Sequence, residues 1–303
     1  MPGSAGTKNA PRGSVPYGEA GKGSRTTEEL RAWTLVLPPG AAFTHATAAS
    51  VRRWWLAPLP EDLPVFVAVP DAGWRPRRRG LHVSRHTSPV GFTLVDGLPT
   101  ADPCEIVLAA ARHLGLVDLV ILSDSALHRG DVTIDQLTAA AIRRRRGAPA
   151  LRAALPMMDG RAESPGETLM RLLHVTCGIE VEPQAPIVDD YGRIIARADL
   201  RIIGTRRLAE YDGAHHRAAR QYETDRARDR RLQALGWSPY SYSAITVLRQ
   251  PHLIIRDADE ALGRMTDSRL LGNWYQLIEN STFTAPGLVR LRARLGLPRA
   301  PGG

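Results

Sequence analysis

Ala198-Asp199-Leu200-Arg201-Ile202-Ile203-Gly204-Thr205-Arg206-Arg207-Leu208-Ala209-Glu210-Tyr211-Asp212-Gly213 reads as a β-hairpin with Gly204-Thr205 as its two-residue loop. Ile203 then faces Arg206, paired residue numbers sum to 409, and Asp199 falls directly opposite Glu210. Asp212 lies on the same face of its strand as Glu210, two residues on. Side chains so opposed have Cβ atoms roughly 4.5 to 5.5 Å apart, and like charges there destabilise a sheet. Either something compensates the pair, or the register is shifted by one residue and Asp199 faces solvent.

A hard divalent cation, Mg2+ or Mn2+, is the economical compensator, because it takes oxygen ligands and holds one or two carboxylates while keeping several waters. Such an ion lowers the pKa of water and polarises a phosphoryl group, so phosphodiester hydrolysis becomes accessible near neutral pH. Asp199 and Glu210 are the expected metal ligands, with Asp212 a further ligand or a residue that orients water.

Working outward, Ser164-Pro165-Gly166-Glu167 supplies an N-cap serine, a proline at the first helical position and a glutamate at the third. A helix is expected from there to Cys177, ended by Gly178. Glu167 carries two readings: reciprocal member of a capping box, or an outer ligand reaching the acidic pair from the helix. Residues 184–188 and 193–203 read as strands about the turn Asp189-Asp190-Tyr191-Gly192, and residues 206–212 as a third. A polar helix over 216–235 stops at Gly236, a strand-like stretch covers 237–247, and residues 256–295 carry three short helical patterns with a break at Pro286.

On the polar helix, Arg217, Arg220, Arg228 and Arg231 fall within roughly 80° of one another at 100° per residue, a stripe suited to phosphate oxygens. The alternative is a solvated helix laced by Asp225 with Arg228 and Arg226 with Asp229. His215 or His216, just after the third strand, could protonate the leaving oxygen or contact phosphate, since imidazole titrates near working pH; each is equally readable as a surface histidine. Tyr222 and Trp237 read as packing residues.

Upstream, residues 26–158 read as a mixed α/β region, with helices near 47–55, 103–114, 116–127 and 134–145, the last capped by Thr133, and strands at 65–69 and 81–85. It carries no phosphate loop, metal cluster or nucleophile elbow. Its arginine runs, Arg75 with Arg77, Arg78 and Arg79, and the run from 143 to 146, read as solvated charge rather than as a nucleic-acid patch. Residues 159–165 form a linker, residues 251–303 a helical extension in which Trp274 and Tyr275 cap the domain or meet a partner, and residues 1–25, with almost nothing to bury, a disordered tail.

The chain of 303 residues is 43% hydrophobic and carries a net charge of +9 spread evenly along its length. Lys8 and Lys22 are the only lysines, so the excess is arginine, which suits planar phosphate recognition. No apolar run approaches the roughly 18 residues of a membrane span and no signal-peptide core opens the chain, so a cytoplasmic protein is expected. Cys104 and Cys177 lie far apart and read as small buried hydrophobes.

Ser164-Pro165-x-Glu167, Asp199, Glu210-Tyr211-Asp212-Gly213 with His215 and His216, Asp225-Arg226, Arg228 and Leu235-Gly236-Trp237 resemble the endonuclease-domain family related to very-short-patch-repair endonucleases, within the PD-(D/E)XK superfamily. The resemblance covers about residues 160–250. Phe43-Thr44-His45-Ala46-Thr47-Ala48-Ala49 and Asp96-Gly97-Leu98-Pro99-Thr100 more loosely resemble actinobacterial proteins related to AbiEi-type antitoxins. The resemblance implies an α/β chain whose C-terminal half has a restriction-endonuclease-like fold, a small mixed sheet flanked by helices. It also implies Mg2+-dependent DNA cleavage, with metal held at Asp199 and Glu210 and Glu167 contributing from the first helix. The superfamily's lysine is replaced by Asp212, in the Glu-x-Asp-Gly form of the nearer relatives; Ala198 precedes the first acid, and the usual proline-containing turn is shortened to Gly204-Thr205.

The expectation is therefore a DNA endonuclease, with Asp199, Glu210, Asp212, Glu167 and one of His215 and His216 at its site. The alternative is a DNA-binding, antitoxin-like regulator in which the acidic cluster is vestigial. A toxin or another defence-system protein is a further expected partner.

Overall fold

Capping chemistry starts the ordered chain: Thr26 and Glu29 exchange side-chain and backbone hydrogen bonds at the head of α1 (Thr27–Thr34), closing a capping box. The computed structural model describes residues 25–71, 74–87, 89–213, 228 and 230–298; the tail expected over 1–25 lies outside these except for Arg25. The fold is α/β, built on two mixed sheets flanked by helices.

The first sheet holds β1 (Ala42–Phe43), β2 (Val65–Pro70), β3 (Leu81–His86), β4 (Phe92–Val95) and β5 (Leu98–Ala101) in the order β3-β2-β1-β5-β4. Asp96 and Gly97, both at positive φ, make the tight turn of the β4–β5 hairpin, where Asp-Gly is the favoured pair. Helices α2 (His45–Val51), α3 (Pro103–Ala110), α4 (Leu116–His128), α5 (Ile134–Ile142) and α6 (Ala148–Ala154) surround it. The Thr133 cap is present, reciprocated by Gln136, but α5 ends at Ile142, short of the expected 145, where Arg143 turns extended. Strands β1, β4 and β5 and helices α1 and α6 are absent from the sequence reading.

The second sheet follows α7 (Pro165–Thr176) and holds β6 (Val181–Val188), β7 (Ile194–Ile202), β8 (Arg207–Asp212) and β9 (Ser238–Ser243) in chain order. β6–β7 and β7–β8 are antiparallel, whereas β8–β9 is parallel, so residues 213–237 are the crossover such a pair requires. Pro183 and Pro186 are tolerated in β6 because it lies at the edge of the sheet. Leu200 pairs with Ala209 and Arg201 with Leu208, the register that sums to 409.

Three expectations need correction. The β7–β8 loop spans 203–206 rather than two residues, because the Ile203 N–H goes to Glu180 O at 3.0 Å and the Arg206 carbonyl accepts Ser238 N–H at 2.9 Å. The strand expected over 237–247 stops at Ser243, whose hydroxyl accepts the Thr246 N–H at 3.3 Å and starts α8 (Ala244–Arg249). Pro286 does not interrupt a helix; it sits in the first turn of α11 (Ala285–Leu295), after α9 (Pro251–Ala261) and α10 (Ser268–Ile278). The polar helix expected over 216–235 is described only at its end, helical over 230–234 and stopped at Gly236 with φ 77°.

One hydrophobic core runs through both halves, including Phe43, Leu119, Leu172, Leu200 and Trp274. Trp274 is fully buried, so it packs the extension onto the body. The spine of this union is α4, which carries two buried aspartates. Asp118 accepts the Ser281 hydroxyl and the Thr282 N–H at 2.9 Å, fastening the C-terminal segment. Asp124 accepts the Asp159 N–H at 2.7 Å, the Thr168 hydroxyl at 2.9 Å and the Arg171 guanidinium at 2.7 Å, fastening the linker and α7. Cys177 is buried, Cys104 half-buried, and both are free thiols.

Candidate active site

The β7–β8 ladder ends at Leu200 and Ala209, and one step beyond it Asp199 receives the Tyr211 N–H at Oδ2, 2.7 Å away. Leu200 packs in the main core, whereas Ala198, two residues away, packs with Ile187, Leu208 and Leu232. Burial, then the negative charges of Glu167 and Glu210, push the Asp199 carboxyl up to about 7, against the Tyr211 N–H and Arg228. Three acids from α7, β7 and β8 thus share one electrostatic neighbourhood, and Asp199 is half-buried.

Glu167 is 8% exposed. Ser164 Oγ accepts its N–H at 3.2 Å, so the N-cap forms as expected. The Glu167 carboxylate does not close the box on Ser164; it accepts the Glu163 N–H at 2.8 Å and the Gln184 amide at 2.7 Å. Gln184 stands across from Asp199 on β6, between the pairs Pro183–Leu200 and Ala185–Ala198, with φ at +51°. A glutamine in this left-handed region is strained backbone, held here beside the acids. Nothing in Pro183-Gln184-Ala185 signals that role, since the strain arises only from the pairing.

Glu210 is gripped in bidentate fashion by Arg228, Nη2 to Oε1 at 2.6 Å and Nη1 to Oε2 at 3.1 Å, while Arg228 Nη2 also reaches Arg197 O at 3.0 Å. Asp225 lies outside the described residues, and the contact with Glu210 is one that neither expectation for Arg228 included. The crossover brings it back over the sheet, where a carboxylate fork fits its guanidinium. Arg231 is exposed at the described end of the same helix. Asp212 closes β8 opposite Ser243, and its charge, after burial, raises the Tyr211 phenol. His215, His216, Arg217, Arg220, Tyr222, Asp225, Arg226 and Asp229 lie outside the described residues. Trp237 packs against the small cluster with Arg206 over its ring, as a packing residue.

Gly166 is a site residue that sequence reasoning missed. A Cβ there would lie 2.2 Å from two carbons of the Tyr211 ring, so glycine lets that ring lie on the first turn of α7. Gly166→Ala is expected to lower stability by about 1–3 kcal/mol through overpacking. In a Tyr211→Ala background the same change should cost nothing. Thermal denaturation of the four variants measures the coupling, and equal costs in both backgrounds would show that the contact is unimportant.

The donor set suits a hard cation: every side chain is a carboxylate or amide oxygen, and burial together with the neighbouring negative charges raises Asp199 to about 7. Among the described residues, however, no three His, Cys, Asp or Glu side chains form a ready metal cage, so Asp199, Glu210 and Asp212 are not already gathered as ligands. The reason is visible in the partners: Glu210 is turned to Arg228 and Glu167 to Gln184.

The fold and site define a mixed α/β protein with a half-buried acidic centre at the head of a strand pair. The chain is 31% identical over 161 residues to two proteins of Mycobacterium tuberculosis, the uncharacterized proteins Rv2248 and MT2308; the match covers 52% of this chain and 59% of each relative. The matched region thus spans less than two thirds of these relatives' length. No family model matches the sequence, and no solved structure matches the fold. Among the described residues no helix is long and apolar enough to cross a membrane.

Proposed function

We propose that this chain is a cytoplasmic, Mg2+-dependent DNA endonuclease whose centre is Asp199 and Glu210. The observation that carries the reading is the convergence of Glu167, Asp199 and Glu210 from three elements, close enough that the charges of Glu167 and Glu210 add to burial in raising Asp199 to about 7. Such a cluster is electrostatically costly, and cation binding would offset that cost.

Asp199 and Glu210 would hold Mg2+ or Mn2+, and Asp212 would add a ligand or orient water. A bound cation of this kind supplies Lewis acidity at a phosphoryl group. Tyr211, through its backbone N–H, fixes the Asp199 carboxylate. Gln184 and the Glu163 N–H hold Glu167 behind it as a positioning acid. Arg228 neutralises Glu210. His215 or His216 would donate the proton to the leaving oxygen or contact phosphate.

Supercoiled plasmid incubated with Mg2+, Mn2+ or chelator tests this. Nicking or linearisation is expected only with metal, and Glu210→Gln should reduce it by roughly 100-fold or more, the equivalent of several kcal/mol of transition-state stabilisation. Absence of cleavage with either metal would overturn the enzymatic reading.

One observation favours a second reading, a DNA-binding, antitoxin-like regulator that meets a toxin or another defence-system protein. Arg228 already satisfies both oxygens of Glu210, an arrangement that needs no metal. Gel shifts on the DNA upstream of its own coding sequence that ignore both chelator and Asp199→Ala would favour it.

A further inference from the structure

Two adjoining cavities in the N-terminal half gather arginines that are scattered in the sequence. One, of about 890 Å3, is lined by Arg112, Arg144, Arg146, Arg152 and Arg294 with their neighbours on the 143–147 turn, and by no Asp or Glu. The other, of about 400 Å3, shares Arg112, Arg145 and Arg146 with it and adds Arg75 and Arg85. Glu105 is its one acid, engaged by Arg145 and, at 3.9 Å, by Arg143. Among the described residues no ion pair compensates Arg75, Arg112, Arg144, Arg146 or Arg294.

The cleft is a built feature. Gly147, at φ 90°, turns the arginine run so tightly against α3 that a Cβ would lie 2.2 Å from Leu108 O. One turn along from Leu108, Arg112 donates to Ser84 Oγ at 3.1 Å and is half-buried between the sheet and the run. Burial, then the like charges of Arg146 and Arg145, push its guanidinium down from its ordinary value. Arg294 reaches the rim from α11, anchored on His113 O at 2.9 Å.

We infer that this arginine-lined double cleft binds the phosphodiester backbone of DNA, independently of sequence and of the acidic centre. Guanidiniums continuous across two cavities match a row of phosphates better than a single one. A free nucleotide is a poorer fit, because no Phe, Tyr or Trp lines either cavity to stack a base. Arg75, Arg143, Arg144 and Arg146 are exposed, as expected of solvated charge, and folding sets Arg75, Arg112 and Arg294, from three distant segments, around the run. The inference takes DNA as partner from the proposed function but needs no metal.

The test is fluorescence anisotropy of a labelled DNA duplex with full-length protein in chelator, at several salt concentrations. Arg144→Ala/Arg146→Ala, whose side chains are exposed, is expected to weaken binding about tenfold or more, and to reduce the slope of log affinity against log salt by about 1.8, the loss of two phosphate contacts. Arg269→Ala, on α10, should leave both unchanged, and melting curves should confirm that all variants fold. Unchanged affinity and slope in the double variant, or no DNA binding by the wild type, would overturn the inference. So would displacement of DNA by micromolar inorganic tripolyphosphate, which would assign the cleft to a small polyphosphate. Plasmid cleavage measured in parallel separates the two proposals. Cleavage with arginine-independent binding sinks the cleft alone, and arginine-dependent binding without cleavage sinks the nuclease reading alone.

Discussion

Asp199→Asn is expected to abolish metal-dependent cleavage and, without metal at pH 8, to raise the melting temperature by several degrees. The first effect follows because an amide gives the cation no charge. The second follows from the raised carboxyl. In the unfolded chain Asp199 has its ordinary value near 3.8, and in the folded chain about 7, so the native state holds the proton more tightly. Its contribution to stability is therefore fully present below about pH 4 and lost as pH rises through 7. The asparagine substitution would remove that dependence, while the amide oxygen it introduces can still accept the Tyr211 N–H. The gain at pH 8 is on the order of a few kcal/mol at most, from about 1.4 kcal/mol per pKa unit. Added Mg2+ should stabilise the wild type and not the variant. Cleavage by the wild type should rise with pH on a limb below 7, since the cation competes with the proton for Asp199. Melting curves from pH 4 to 8, with and without Mg2+, measure this; an Mg2+-induced stabilisation that survives in Asp199→Asn would place the cation elsewhere.

Asp124→Ala should destabilise the whole chain by about 3–5 kcal/mol, the cost of breaking a buried ion pair from one side. Asp124 is fully buried and accepts the Asp159 N–H, the Thr168 hydroxyl and the Arg171 guanidinium. Alanine strands all three donors, and Arg171, 7% exposed at its side chain, has no water to turn to. Asp124→Leu with Arg171→Met should cost less than Asp124→Ala alone, because no charge is left buried. Because these donors lie in the linker and on α7, the loss should appear as one cooperative transition of both halves. Denaturant unfolding followed by two probes tests this; a cost below about 1 kcal/mol, or two separated transitions, would show that α4 is not the joint.

The acidic centre was partly legible. Ser164 caps α7, and the pairs Leu200–Ala209 and Arg201–Leu208 keep the sum counted outward from Gly204-Thr205, although the loop is wider and the ladder stops one residue short of Asp199 and Glu210. Period-2 counting survives a loop error that leaves the pairing sum unchanged. Asp96-Gly97 carried an equally plain turn signal, yet β4 and β5 were missed because their outer strand is exposed and irregular in hydropathy. Gly166 and Gln184 gave no local sign, since one is needed only where the Tyr211 ring lands and the other only where β6 passes Asp199.

By itself the amino-acid order determined where α5 and α7 begin, that β7 turns back on β8 and that Asp199 and Glu210 share that strand pair, because capping and alternation act over a few residues. Only tertiary packing decided that Arg228 takes Glu210, that Asp118 and Asp124 bind the two halves, and that arginines from residue 75 to residue 294 line one cleft. Those contacts join side chains many residues apart, and no local propensity encodes which distant partner a charge will meet.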